Sequence, residues 1–151
     1  MKTILVPIDF SDVTTRVLEK ASELARALDG RLVIIHVIQP PVNLSSSDPI
    51  LIENTARITA AAEKAADKHL ERLEKGLRAE FPGLEVVRLT GAPVARILEQ
   101  AELRSADYIV LGSHGHTAVY DLLVGSTAHG VLKKASCAVL VVPPSAEQRS
   151  A

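Results

Sequence analysis

Short apolar runs alternate with longer amphipathic segments along this chain, and this alternation constrains the fold more than any other feature of the sequence. Thr3–Ile8 and residues 32–38 are short, β-branched and almost continuously apolar, as in strands covered on both faces. The first run is followed by apolar residues at helical spacing: Val17, Ala21, Leu24 and Leu28. Consecutive parallel strands need such helical crossovers. The pattern therefore predicts a doubly wound α/β fold with helices on both faces of a parallel sheet.

The same alternation continues through the rest of the chain. Further strands are predicted at Glu85–Thr90, residues 107–111 and Ala138–Val142, which makes five strands. Shorter helices are predicted after Pro93 and over Ser126–Lys134. Residues 39–49 have loop composition, and a long helix follows whose inner face is marked by Ile58, Ala62, Ala66, Leu70, Leu73 and Leu77.

Composition limits the class of protein. With 151 residues, 47% of them apolar, we expect one domain over residues 1–144 and a disordered tail over residues 145–151, after the Pro143-Pro144 pair. The net charge of -1 and an aromatic content of 3% offer neither a basic surface nor stacking platforms for nucleic acid. Nucleic acid is therefore excluded as an expected partner.

The first apolar run and the single cysteine indicate the compartment. The run before Asp9 is too short for a signal-peptide core or a membrane span, so we expect a cytoplasmic protein with no membrane insertion. Cys137 has no second cysteine with which to form an intrachain disulfide or a cysteine-based zinc site. We expect it to be a buried, reduced core thiol.

A glycine-rich connection follows the fourth predicted strand. It reads Gly112-Ser113-His114-Gly115, then nine residues, then Gly125-Ser126 at the start of a helix. It is not a Walker loop, because no lysine precedes the helix at the required place. Glycines nevertheless let backbone N–H groups approach an anion closely, and a helix start presents free N–H groups. With the hydroxyls of Ser113, Ser126 and Thr127 as further donors, the connection predicts phosphate binding.

The spacing G-x2-G-x9-G-[ST], the opening VPIDFSD at residues 6–12 and the closing CAVLVVP at residues 137–143 resemble the universal stress protein family, in particular its ATP-binding subgroup. The resemblance implies an open five-stranded sheet of order 3-2-1-4-5, similar to the adenine nucleotide alpha hydrolase fold. In that order the first and fourth strands are neighbours at the point where the strand order reverses. Ligands of such sheets bind there.

The resemblance also implies roles for individual residues. Asp9 would accept hydrogen bonds from ribose hydroxyls, and Pro7 and Val37 would line the adenine slot, with the Val37 backbone contacting the base edge. The ribose and phosphates would be surrounded by Leu111, Gly112, Ser113, His114, Gly115, Gly125, Ser126 and Thr127. The implied ligand is ATP, with or without Mg²⁺, and AMP or ADP are alternatives. The family often has Arg where His114 stands, which predicts a weaker phosphate contact here.

Three functions remain open at this stage. The first is a nucleotide-dependent regulatory module of the stress response; the second is a slow ATPase or phosphotransferase; the third is a ligand-free dimeric interaction protein. No catalytic residue is assigned, because no acidic pair for Mg²⁺ and no base for water is evident. No metal site is predicted either, because His114 and His116 have no acidic or cysteine neighbour until Asp121. His36 and His129 are expected to be structural.

The resemblance also implies a homodimer. The last strand, Ala138–Val142, is entirely apolar and would lie at the edge of the sheet, where an uncovered apolar strand promotes aggregation. Pairing of two such edges across a two-fold axis would cover it.

Overall fold

The computed structural model describes residues 1–41, 47–115 and 124–150. Strands and helices alternate through them, as the sequence predicts. In chain order the elements are β1 (Thr3–Ile8), α1 (Thr14–Leu28), β2 (Arg31–Ile38), α2 (Pro49–Leu77), β3 (Glu85–Thr90), α3 (Pro93–Leu103), β4 (Tyr108–Gly112), α4 (Ser126–Lys134), β5 (Ala138–Val142) and α5 (Ala146–Ser150).

The five strands form one parallel sheet of order β3-β2-β1-β4-β5, which confirms the expected order. β1 lies at its centre, with Ile4 opposite Leu32 of β2 on one side and Tyr108 of β4 on the other. The chain moves outward from β1 to β3, crosses back to β4 and then continues to β5. The strand order therefore reverses between β1 and β4.

Helices cover both faces of the sheet. Val6 of β1 and Ile34 of β2 pack with α1 and α2, whereas Leu5 and Val33, the alternate residues, pack with α3 and α4. All four side chains are fully buried, and burial of one such side chain stabilises the fold by about 1.5–3 kcal/mol. Two-sided burial explains why the strands are apolar at successive positions rather than at alternate ones.

Helix α1 ends in a left-handed cap, a conformation that glycine adopts most often. Here Asp29 adopts it, with φ of 48°, and the Gly30 N–H donates to the Ala25 carbonyl at 2.8 Å. Gly30 is required for a different reason: a Cβ there would lie 2.9 Å from Ile4 Cδ1 and 3.0 Å from the Lys2 carbonyl oxygen. The turn therefore packs directly against the start of β1.

Helix α2 is longer than the sheet it covers. It begins at Pro49, where the Asp48 side chain accepts a hydrogen bond from the Ile50 N–H, and it runs for 29 residues, or about 43 Å. The six-residue strand β3 spans only about 20 Å. The expected inner face is buried at Ala66 and Leu70 and partly buried at Leu73 and Leu77, whereas Ile58, near the start of the helix, is 59% exposed.

A short helix occupies residues for which the sequence analysis expects disorder. In α5 the Gln148 side chain accepts from the Ser145 N–H, and the Ser145 hydroxyl accepts from the Gln148 N–H. The Gln148 amide also donates to the Asp12 carbonyl in the β1–α1 turn at 2.6 Å. Composition does not reveal this docking because its partner, Asp12, lies at the opposite end of the chain.

Candidate functional site

A cavity of about 770 Å³ opens at the carboxyl ends of the strands, where the strand order reverses between β1 and β4. Its volume lies in the range usual for small-molecule sites. The structure brings together on its wall all eleven residues for which the sequence analysis predicts ligand contacts: Pro7, Asp9, Val37, Leu111, Gly112, Ser113, His114, Gly115, Gly125, Ser126 and Thr127. Their individual roles remain predictions.

The apolar part of the cavity lies on the α3–α4 side of the sheet. Ile97 of α3, Leu111 of β4 and Ala128 of α4 belong to the core layer on that side, and Pro7 and Val37 line the cavity with them. Such a wall accommodates a flat, largely apolar group such as a nucleobase.

The glycine segments form the polar part of the wall. The Gly125 N–H donates to the Ser113 carbonyl at 2.6 Å, which holds the two ends of the connection together. A Cβ at Gly125 would make a tight 3.1 Å contact with the same carbonyl oxygen, so this approach favours a glycine. Ser113 is buried, and its hydroxyl lies 2.8 Å from His114 Nδ1. The nine-residue helix α4 begins at Ser126 beside these groups, and no described side chain caps its start.

Asp9 lies opposite the glycine segments, in the turn after β1. Its Oδ1 accepts a hydrogen bond from the Ser11 N–H at 3.0 Å. A Cβ at Gly115 would overlap its Oδ2, so the carboxylate lies directly against the glycine backbone. The cavity thus has an acidic group on the β1 side and, on the β4 side, the N–H groups at the start of α4, which no described side chain caps.

Comparison with known proteins identifies the family. A sequence model of the universal stress protein family matches residues 1–143. The chain belongs to the universal stress protein family.

Individual relatives are similar to this chain over 93% of its length. A universal stress protein of Thermus aquaticus is 34% identical over 147 residues, covering 93% of this chain and 98% of the relative. The solved structure of universal stress protein UspA from Lactobacillus plantarum superposes with a TM-score of 0.83 at 25% identity, covering 93% and 97% of the two chains. A universal stress protein solved in complex with cAMP has a TM-score of 0.60 at 26% identity, covering 93% and 96%.

Sequence reasoning missed one side of this universal stress protein cavity. On the α1–α2 side the wall includes Phe10, His69 and three alanines of α2, Ala62, Ala65 and Ala66. His36 also lines the cavity, although it has the hydrogen bond expected of a structural histidine, with Nδ1 2.8 Å from the Ile8 carbonyl oxygen. The alanines and His69 recur at helical spacing, which was the one available signal.

The remaining candidates from the sequence lie away from a site or outside the described residues. His116 and Asp121 fall in residues 116–123, which the structure does not describe. In the described ranges, no three His, Cys, Asp or Glu side chains cluster so that they could hold a metal ion.

Cys137 is only partly buried against the α3–α4 layer, and burial raises the pKa of its thiol. No helix within residues 1–41, 47–115 and 124–150 is long and apolar enough to cross a membrane.

Proposed function

We propose that this protein binds ATP in the cavity between β1 and β4 and acts as a nucleotide-dependent regulatory module in the cytoplasmic stress response. The observation that carries the proposal is the direct approach of Asp9 to the glycine backbone beside an apolar slot. A nucleotide has the same three parts: an apolar base, a ribose with hydroxyl donors and an anionic phosphate chain.

Each part of the cavity has a role in this proposal. The base lies against Pro7 and Val37, and the ribose hydroxyls donate to Asp9, whose carboxylate is a strong acceptor. The phosphates accept from the backbone N–H groups at the start of α4 and from the Gly115 segment, since the Ser113 and Gly125 N–H groups donate to backbone carbonyls. One such contact in an exposed site stabilises an anion by only about 0.3–1 kcal/mol, so several must act together.

The hydroxyls and glycine segments on the wall favour a phosphate chain over a single phosphate. Two glycine segments and three hydroxyls at Ser113, Ser126 and Thr127 line the wall, more than a monophosphate needs. Asp9 is the single carboxylate among the described lining residues, so Mg²⁺ would bind mainly through phosphate oxygens. The relative in complex with cAMP supports an adenine nucleotide as the class of ligand.

Titration calorimetry with Mg-ATP tests the proposal, with Mg-GTP, ADP and AMP as controls. We expect ATP to bind and GTP to bind more weakly. At an ATP concentration of about 100 times the Kd, occupancy would raise the free energy of unfolding by about 2.7 kcal/mol, which thermal denaturation would also detect. Absence of binding to folded protein at millimolar ATP would refute the proposal.

A homodimer through β5 is the second part of this proposal. β5 is the edge strand, and Leu140 is 41% exposed there, whereas Val141 packs partly against the α3–α4 layer. Pairing of two β5 edges would satisfy their backbone groups and cover Leu140.

Leu140→Glu tests this surface better than a charge at Val141, because an exposed position can accept a charge without disturbing the core. We expect a dimer for the unaltered protein in sedimentation and a predominantly monomeric, folded variant. Exposed Leu132 of α4 provides the control substitution, Leu132→Glu, which should leave the dimer intact. An equally stable dimer of the Leu140 variant would exclude β5 as the interface.

A further inference from the structure

Phe10 has an uncommon backbone conformation. Its φ is 58°, in the left-handed region that large side chains seldom adopt because Cβ then approaches the following carbonyl. Such a conformation persists only where surrounding contacts hold it, and it is frequent at binding sites. Phe10 lies on the cavity wall directly after Asp9.

Two imidazole rings contact the Phe10 side chain. The His36 ring centroid is 4.5 Å away and the His69 ring centroid is 4.8 Å away, with the planes tilted by 45° and 33°. These are ordinary separations for packed aromatic rings. His36 comes from β2 and His69 from α2, so two separate elements converge on the β1–α1 turn at this residue.

The His36 imidazole is held by a hydrogen bond, and the His69 backbone is anchored beside a core residue. His36 Nδ1 lies 2.8 Å from the Ile8 carbonyl oxygen, and since a carbonyl only accepts, Nδ1 carries the proton. His69 is more exposed, but it lies on α2 directly before Leu70, which is buried in the core. The ring of Phe10 is therefore held against parts of the fold that are anchored independently of the turn.

The conformation of Phe10 supports one hydrogen bond of the Asp9 carboxylate. The hydrogen bond from the Ser11 N–H to Asp9 Oδ1 spans Phe10, so rotation about its backbone would carry the Ser11 N–H away from the carboxylate. Asp9 Oδ2 lies against Gly115 in the same arrangement. A change in the Phe10 backbone would therefore remove the Ser11 hydrogen bond that holds Asp9 Oδ1 while Oδ2 lies against Gly115.

We propose that Phe10, His36 and His69, here called the aromatic clamp, are positioning residues that hold the Asp9 carboxylate where it accepts a ribose hydroxyl, and so set a preference for ribonucleotides over deoxyribonucleotides. The inference rests on the proposed function. It adds a role for α2, which contributes His69 to the site.

The test compares Mg-ATP with its 2′-deoxy and 3′-deoxy analogues by titration calorimetry. Phe10→Gly keeps the left-handed backbone accessible but removes the ring, and His69→Ala removes one contact of the ring. We expect the unaltered protein to prefer ATP over at least one analogue by about tenfold or more, as one hydrogen bond to a charged acceptor provides. Both variants should lose most of that preference through weaker ATP binding, with little change for that analogue.

Conservative variants separate positioning from a general structural effect. Phe10→Tyr and His69→Phe keep an aromatic ring and should retain the preference. His129→Ala removes an exposed histidine of α4 that does not line the cavity, and it should behave as the unaltered protein. Equal losses of ATP and deoxynucleotide affinity would overturn the clamp, as would unchanged ATP binding in Phe10→Gly.

The failures of the two proposals can be told apart. If the unaltered protein binds ATP without any ribose preference, the aromatic clamp is wrong and the proposed function stands. If it binds no nucleotide, both fail.

Proton NMR of the free protein tests the clamp without a ligand. We expect the His69 ring resonances to be shifted by the Phe10 ring and to return toward exposed values in Phe10→Gly. Unshifted resonances in the unaltered protein would contradict the clamp.

Discussion

The two ends of the sheet use their polar groups differently. At the amino ends of the strands, ion pairs connect neighbouring elements: Arg31 of β2 binds Glu85 of β3 at 2.8 Å, and Arg104 after α3 binds the same carboxylate at 3.1 Å. The Arg31 guanidinium also donates to the Thr3 hydroxyl of β1. At the carboxyl ends, the polar groups of β1 and β4 instead line the cavity.

The start of β4 is tied to β1 in the same way. Asp107 accepts from the Lys2 ammonium at 2.8 Å and from the Thr3 N–H at 2.9 Å. These hydrogen bonds, first of all the one from Lys2, hold the pKa of the Asp107 carboxyl below its usual value. The carboxyl end has a comparable acid in Asp9, but that carboxylate faces a cavity wide enough for a ligand.

Polar groups at the amino ends of the strands stabilise the sheet, whereas those at the carboxyl ends are available to a ligand. Strands that are covered on both faces leave polar side chains room mainly at their two ends. At one end these groups pair with each other and hold the strands in place. At the other end they line an open cavity, which is where α/β sheets bind ligands. Substitutions at the two ends should therefore affect different properties.

The largest expected effect is on binding, at the carboxyl end. Gly115→Val adds a side chain against Asp9 in the proposed path of the phosphates, and we expect at least about a hundredfold weaker ATP binding with little change in stability. Gly76→Ala is the control, because a Cβ there meets no atom within 4 Å. Calorimetry and thermal denaturation of both variants measure the two properties. Unaltered ATP affinity in Gly115→Val would remove the glycine segments from the site.

At the amino ends of the strands, a substitution should change stability rather than binding. Gly30→Val forces a side chain against Ile4 and the Lys2 carbonyl, and overpacking of this kind lowers the free energy of unfolding by about 1–3 kcal/mol. ATP affinity should not change. Gly83→Ala is the matched control, since its Cβ would make an ordinary 3.6 Å contact with Arg31. Urea denaturation measures the stability, and a loss of ATP affinity in folded Gly30→Val would contradict the separation of the two ends.

The smallest expected effect is a pH-dependent change in the Tm of an Asp107 variant. Because the folded pKa of Asp107 is lowered, its ionised form stabilises the fold above the unfolded pKa of about 3.9, and this contribution is lost as the pH falls through the folded pKa. Asp107→Asn should therefore lower Tm slightly at pH 7 and by less at pH 3. A difference in Tm that stays constant between these pH values would mean that the charge of Asp107 contributes nothing.

Much of the site could be predicted from the sequence because its residues follow strands. The alternation of apolar runs predicts where β1 and β4 end, and the order of a doubly wound sheet then brings Asp9 and Gly115 together. The aromatic clamp could not be predicted in this way. Phe10, His36 and His69 lie in three elements, and none of the three local patterns requires an aromatic contact.

The sequence by itself determined the positions of the strands, the parallel sheet and the glycine-rich connection, because apolar periodicity and glycine spacing are local properties of the chain. Only the tertiary structure decided how far α2 extends beyond the sheet, that α5 docks on the β1–α1 turn, and that His69 reaches Phe10. These features depend on the lengths and relative placement of packed elements. Contacts between residues far apart in the chain leave no periodic pattern in the sequence.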